Sequence, residues 1–254
     1  MTPRNPFDLS GRRAIVTGAN TGIGQGICVS LAQAGAHVLG VARSSMKDTQ
    51  ARVAEVGGSI EPVAADLGQP REAAALVERL WDAGGPIDIL VNNAGIIRRA
   101  DAVDFTEADW DDVMDLNLKT AFMMSQALAR RAISAGRPAR IINVASVLSF
   151  QGGIRVASYT AAKSGLAGLT RILANEWAAK GINVNAIAPG YIVSNNTTAL
   201  RADEDRSAAI LARIPAGRWG DPADIGGTSV YLASDAASYV HGSILTVDGG
   251  WLAR

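Results

Sequence analysis

The feature that most narrows the possible folds is a short apolar run that passes directly into a glycine-rich turn and then a helix. Arg13-Ala-Ile-Val-Thr17 reads as a buried strand, Gly18-Ala-Asn-Thr-Gly22-Ile-Gly24 follows without a break, and a helical pattern continues to about Ala34 before Gly35 stops it. Such a turn gathers backbone N–H groups and the positive end of a helix dipole around one point, the arrangement that holds a pyrophosphate. Glycines are needed because side chains would block the approach. The spacing is G-x-x-x-G-x-G rather than the commoner G-x-G-x-x-G, and a plain tight turn would use the same residues.

The rest of the chain decides between these readings by repeating the alternation. Apolar runs predict further strands over 37–42, 60–65, 87–91, 140–145, 182–188 and 243–247, and helical patterns cover 71–81, 108–132, 157–178 and about 222–232. Alternation of this kind predicts one doubly wound α/β domain over 1–254, with helices on both faces of a parallel sheet. A chain of 254 residues, 48% of them apolar, can bury such a core, and no low-complexity tract or composition break divides it. Its 24 basic residues equal its 24 acidic ones, so no global field recruits nucleic acid or a membrane, and the expected partners are small molecules or copies of the chain. The single cysteine, Cys28, cannot form an internal disulfide and falls in an apolar helical pattern. With no signal-like amino terminus and no apolar run of spanning length, the expected location is cytoplasmic.

Several positions carry chemistry. Tyr159 and Lys163 lie four apart on the 157–178 helix and so share a face. A neighbouring ammonium lowers the pKa of a phenol from about 10, at roughly 1.4 kcal/mol per unit, toward a value suited to proton transfer with a carbonyl or alcohol. Ser146 follows the 140–145 strand and is expected at its carboxyl end, where open α/β sheets bind ligands. After the second strand, Ala42 is followed by Arg43-Ser44-Ser45 where an acid would read a free ribose 2′-hydroxyl. Arg43 with two hydroxyls suits a 2′-phosphate, so the residues lean to NADP, although a solvated arginine is the plainer alternative. Asp66, followed by Leu67, can accept an adenine amino group, while Asn92-Asn93-Ala94-Gly95 suits close approach of a cofactor or forms a bare turn. Asn117 sits in an apolar helical stretch, must find partners there, and is read as catalytic or water-holding in preference to a structural bond. The polar segment 191–218, after Pro189-Gly190, is a candidate substrate lid. No metal is expected, because neither histidine has a carboxylate or cysteine at ligand spacing.

Taken together, Thr17-Gly-x-x-x-Gly-Ile-Gly24, Asp66-Leu67, Asn92-Asn-Ala-Gly95, Asn117, Ser146, Tyr159-x-x-x-Lys163 and Pro189-Gly190 resemble the short-chain dehydrogenase/reductase family over essentially the whole chain. The resemblance implies a seven-stranded Rossmann sheet, a nicotinamide cofactor and hydride transfer. In the roles it implies, Ser146 polarises the carbonyl, Tyr159 moves the proton, Lys163 binds the nicotinamide ribose and acidifies Tyr159, and Asn117 holds a relay water. The dinucleotide is then expected on Gly18, Asn20, Thr21, Gly22, Ile23, Gly24, Arg43, Ser44, Asp66, Leu67, Asn93, Ala94, Gly95, Tyr159, Lys163, Pro189, Gly190, Ile192 and Ser194. Ser194 stands where the family often has threonine.

Within the family, Gly95-Ile-Ile-Arg-Arg99, Ser149-Phe-Gln-Gly-Gly-Ile-Arg155, Ala188-Pro-Gly-Tyr191 and the 248–254 ending are similar to members acting on keto-deoxy sugar acids. Those members usually use NAD, against the reading of Arg43, so NAD and NADP both stay open. A sugar acid needs an arginine fork for its carboxylate. Arg155, taken as one helical turn before Tyr159, is the first candidate, with Arg98, Arg99 and Arg201 behind it and Ser146, Gln151, Tyr159 and Tyr191 completing the expected substrate contacts. A homotetramer is implied by analogy, with Trp251-Leu252 packing on a neighbour. The competing readings are reduction of another ketone, such as a 3-oxoacyl thioester or a polyol, and a non-catalytic dinucleotide sensor.

Overall fold

A computed structural model describes residues 5–254. Seven strands form one parallel sheet: β1 (Arg13–Thr17), β2 (His37–Ala42), β3 (Ser59–Ala64), β4 (Ile89–Asn92), β5 (Ala139–Val144), β6 (Ile182–Pro189) and β7 (Ile244–Val247). Their order is β3-β2-β1-β4-β5-β6-β7, so the winding reverses between β1 and β4 and opens a crevice at the carboxyl ends of those strands. Successive side chains of a strand face opposite ways, which divides the core in two. Ala14 and Val16 of β1 join the layer under α1 (Gly22–Gln33), while Ile15 joins the opposite layer with Leu128 and Trp177.

The remaining helices are α2 (Lys47–Glu55), α3 (Pro70–Gly84), α4 (Glu107–Met114), α5 (Thr120–Ser134), α6 (Ala157–Trp177), α7 (Thr198–Ala202), α8 (Glu204–Leu211) and α9 (Pro222–Ala233). α1 packs against α9 on one face, and α3 against α5 on the other. Cys28 is wholly buried in α1, and burial pushes its thiol far above the usual range.

Two features differ from the sequence reading. α2 was not foreseen between β2 and β3, because only Thr49 and Val53 of its residues are buried and its pattern is mostly polar. The single helix expected over 108–132 is interrupted by a π-helical turn at Asp115–Lys119 that separates α4 from α5. Wide turns of this kind recur at functional sites. Here the turn carries Asn117, whose amide closes on both backbone groups of Ile96: Oδ1 accepts from the N–H and Nδ2 donates to the carbonyl, each at 2.9 Å.

A buried polar network sits beneath the crevice. Asn92 at the end of β4 donates to Asn143 of β5 (2.9 Å) and to Ser125 of α5 (3.0 Å), and Asn143 donates to Thr170 of α6 (2.9 Å). Satisfied networks of this kind fix one arrangement of the elements they join. This one fixes β4, β5, α5 and α6, which between them present most of the reactive side chains. Among the described residues, no helix is long and apolar enough to cross a membrane.

Candidate active site

The crevice opens into a cleft of about 620 Å³ whose wall runs from the glycine turn to Trp251. At one end, Gly18 has a left-handed backbone (φ 66°), and a Cβ there would stand 2.9 Å from Asn93 Nδ2. A Cβ on Gly24 would fall 2.1 Å from the Gly18 carbonyl oxygen, so neither position admits a side chain. Thr21 precedes α1 without a side-chain cap, and the first turn of α1 holds no acid. The leading N–H groups are thereby left for a ligand, and an anion is the ligand that a helix start favours. Asn93 and Ala94 are held beside this turn by the Thr17 hydroxyl, which accepts from both backbone N–H groups at 2.9 Å. These features fit a dinucleotide.

At the adenosine end, Asn20 donates to the Ser44 hydroxyl at 2.8 Å, and Arg43 faces Asp66 at 3.8 Å with both side chains well exposed. An exposed pair of that length is worth little and leaves Arg43 able to turn to a phosphate. Ser44, Asp66 and Leu67 do not line the cleft itself: Asp66 accepts from Gly68 N–H, and Leu67 is buried with its carbonyl taken by Thr120. The other expected cofactor positions, from Gly18 through Ser194, do line it.

The reactive end lies where β5 stops. Lys163 is 4% exposed and donates from Nζ to the Val144 carbonyl at 2.6 Å, and its Nζ stands 5.7 Å from the centre of the Tyr159 ring. Ser146 and Tyr159 both line the cleft at this end. The charges differ from the sequence expectation. Burial is the largest influence on Tyr159 and pushes its phenol up; the Ser146 hydroxyl and the Arg99 guanidinium offset this in part, and Lys163 is not among the acidifying groups. Burial also pushes Lys163 down, to about 8. A four-residue spacing sets the distance between the two groups but not their solvation, and here both are desolvated together.

Asn117 does not line the cleft, and its side chain is engaged by both backbone groups of Ile96. Arg155 is also elsewhere. α6 begins at Ala157, so Arg155 is not a helical turn before Tyr159; it has a left-handed backbone (φ 63°) and pairs with Asp101 at 3.1 Å, outside the cleft. Arg98 is taken by Asp109 and Asp112, and Arg201 does not line the cleft. The arginines that do line it beyond Arg43 are Arg99, together with Arg206 and Arg213, which the sequence reading missed. Gln151 and Tyr191 are present as expected. Tyr191 stacks against Trp251 (4.6 Å between centres) and meets Trp219 edge-on (5.6 Å). Trp251 is 3% exposed and clusters with Val147 and Ile214 of its own chain, with Leu252 packed alongside and half-buried.

A twisted parallel sheet with a phosphate-binding glycine turn at its switch point and a tyrosine–lysine–serine group across the crevice defines a dinucleotide-dependent oxidoreductase. A family model described as enoyl-(acyl carrier protein) reductase matches residues 18–252, and the chain belongs to that family, the short-chain dehydrogenase/reductases. The chain is 57% identical to 2-dehydro-3-deoxy-D-gluconate 5-dehydrogenase of Dickeya dadantii over 98% of this chain and 99% of that protein. It is 56% identical to the enzyme of that name from Escherichia coli over 98% of each. A crystal structure from Agrobacterium tumefaciens, described as a proposed 2-deoxy-D-gluconate 3-dehydrogenase and solved with NADP bound, superposes with a TM-score of 0.94 at 60% identity, covering 99% of this chain and all of that one.

Proposed function

We propose that this chain is an NADP-preferring dehydrogenase of the secondary alcohol, or the corresponding ketone, of a keto-deoxy sugar acid. The observation that carries the reading is the charge of the cleft: Lys163, Arg43, Arg99, Arg206 and Arg213 line it, and no aspartate or glutamate does among the described residues. In a chain with equal numbers of acids and bases, that concentration marks a site for anions, a phosphorylated dinucleotide at one end and an acidic substrate at the other. The names of the most similar relatives point the same way.

A bound nicotinamide supplies the hydride and accepts it back. Gly18, Gly22 and Gly24 keep the turn clear for its pyrophosphate; Arg43 reads the 2′-phosphate; Asn93 and Ala94 form the wall of the cleft. Ser146 holds the substrate oxygen by a hydrogen bond, and Tyr159 gives that oxygen a proton in reduction and removes one in oxidation. Lys163, fixed by the Val144 carbonyl, keeps Tyr159 and the nicotinamide ribose in register. Segment 191–218 covers the substrate, and the chain works as a homotetramer in the cytoplasm, which light scattering on the purified protein tests.

The deciding experiment follows cofactor absorbance with a substrate panel. Turnover of keto-deoxy sugar acids with NADPH is expected; activity on 3-oxoacyl thioesters or polyols without activity on sugar acids would overturn the assignment. Tyr159→Phe should lower kcat at least about a hundredfold while leaving NADPH affinity near normal, since proton transfer by a positioned group contributes on the order of 10²–10⁴ and Phe keeps the ring. Arg43→Ala should weaken NADPH and leave NADH unchanged.

A further inference from the structure

Most arginines that meet charge in this protein meet a carboxylate: Arg98 is held by Asp109 and Asp112, Arg131 by Glu78 and Asp82, Arg155 by Asp101 and Arg218 by Asp224. Three arginines at the substrate end of the cleft meet no carboxylate among the described residues. Arg99 donates to the backbone carbonyl of Asn196 at 3.0 Å, Arg213 stacks its guanidinium on Trp251 at 3.9 Å, and Arg206 reaches the cleft from α8. Their charges meet around the two cleft tyrosines: Arg206 repels Arg99, Arg99 acts on Tyr159, and both Arg206 and Arg213 act on Tyr191. Like charges gathered without a counter-charge are unfavourable until an anion joins them. Beside them, Trp251 lines the cleft and holds Arg213 against its ring.

We propose that Arg99, Arg206 and Arg213 together form the subsite for the substrate's carboxylate, so that two of its three cations are carried by the segment covering the cleft. The proposal rests on the sugar-acid reading and deepens it. Guanidinium groups suit this task because each offers a planar fork to the two oxygens of a carboxylate. Arg206 and Arg213 lie within segment 191–218, whose start is anchored to the glycine turn by Asn195, donating to Thr21 at 3.5 Å. A carboxylate bridging Arg99 to Arg206 and Arg213 therefore draws that segment onto the site. Arg99, the one of the three also facing Tyr159, connects the acid group of the substrate to the proton donor.

Two measurements test this. Calorimetry with NADPH-loaded enzyme, using D-gluconate as the probe and neutral sorbitol as its control, needs no turnover. Gluconate should bind and sorbitol should bind at least tenfold more weakly; Arg206→Met and Arg213→Met should each weaken gluconate at least tenfold. Steady-state kinetics on a keto-deoxy sugar acid and its neutral primary amide supply the second reading. Each variant should lower kcat/KM for the acid at least tenfold more than for the amide, chiefly through KM, with part recovered in Arg206→Lys, whereas Arg155→Met should leave the acid-to-amide ratio within twofold. Unweakened gluconate binding in both variants, or a ratio that falls in Arg155→Met instead, would overturn the subsite. A wild-type enzyme that binds gluconate through these arginines yet turns over no sugar acid would leave the subsite standing and remove the proposed reaction.

Discussion

At the scale of single residues, Lys163 shows how burial reshapes the site. Its pKa is pushed down to about 8 from the usual 10.5 of a lysine, so between those limits an unfolded chain keeps a proton that the folded protein has released. Stability rises with pH wherever the unfolded state binds more protons. The lysine therefore costs stability at and below neutral pH, and that cost fades as pH rises from about 8 toward 10.5. Comparing denaturant midpoints of the wild type and Lys163→Met isolates the effect: relative to the variant, the wild type should gain up to about 3 kcal/mol across that window. Gly24 allows an equally direct test. A Cβ there collides with the backbone of Gly18, and overpacking of this kind costs about 1–3 kcal/mol. Gly24→Ala should lower the melting temperature and weaken NADPH binding at least tenfold in fluorescence titration. Tyr159, Lys163 and the glycines were legible in the sequence because their meaning depends on spacings of two to four residues. Arg206 and Arg213 were not, since they reach the cleft only once 191–218 has folded over it.

At the scale of elements, the π-helical turn between α4 and α5 matters most. Asn117 pays for its wide turn by satisfying both backbone groups of Ile96, which fixes the start of the stretch that ends in Arg99. Asn117→Ala leaves a half-buried donor and acceptor of Ile96 unpaired and should cost about 1 kcal/mol in urea denaturation. If it acts through Arg99, KM for a sugar acid should rise more than kcat falls. The strands and long helices were readable to within a residue or two at most ends, because their apolar periods are strong. α2 escaped because it is mostly solvated, and the break at 115–119 escaped because a π turn leaves the apolar pattern nearly unchanged. The placement of Arg155 failed because helical spacing holds only inside the helix: Arg155 precedes the first residue of α6 by two positions, its backbone there is left-handed, and its side chain pairs with Asp101.

At the scale of the molecule, electrical neutrality conceals a strongly cationic cleft. Screening lengths shrink from about 30 Å at 0.01 M salt to about 10 Å at 0.1 M. Raising the ionic strength over that range should therefore lower kcat/KM several-fold for a sugar acid and hardly at all for its neutral amide, as stopped-flow or initial-rate measurements would show. The winding order that creates the cleft also places α1 between its glycine turn and the tightly packed α9, with Cys28 sealed inside. As the only thiol in the chain, it is a native chemical clock. An aromatic disulfide reagent can reach it only when that side of the sheet opens, so its modification rate counts openings, and a ligand that grips the start of α1 must slow the count in proportion to its occupancy. Cofactor affinity can thus be timed in variants that have lost all turnover.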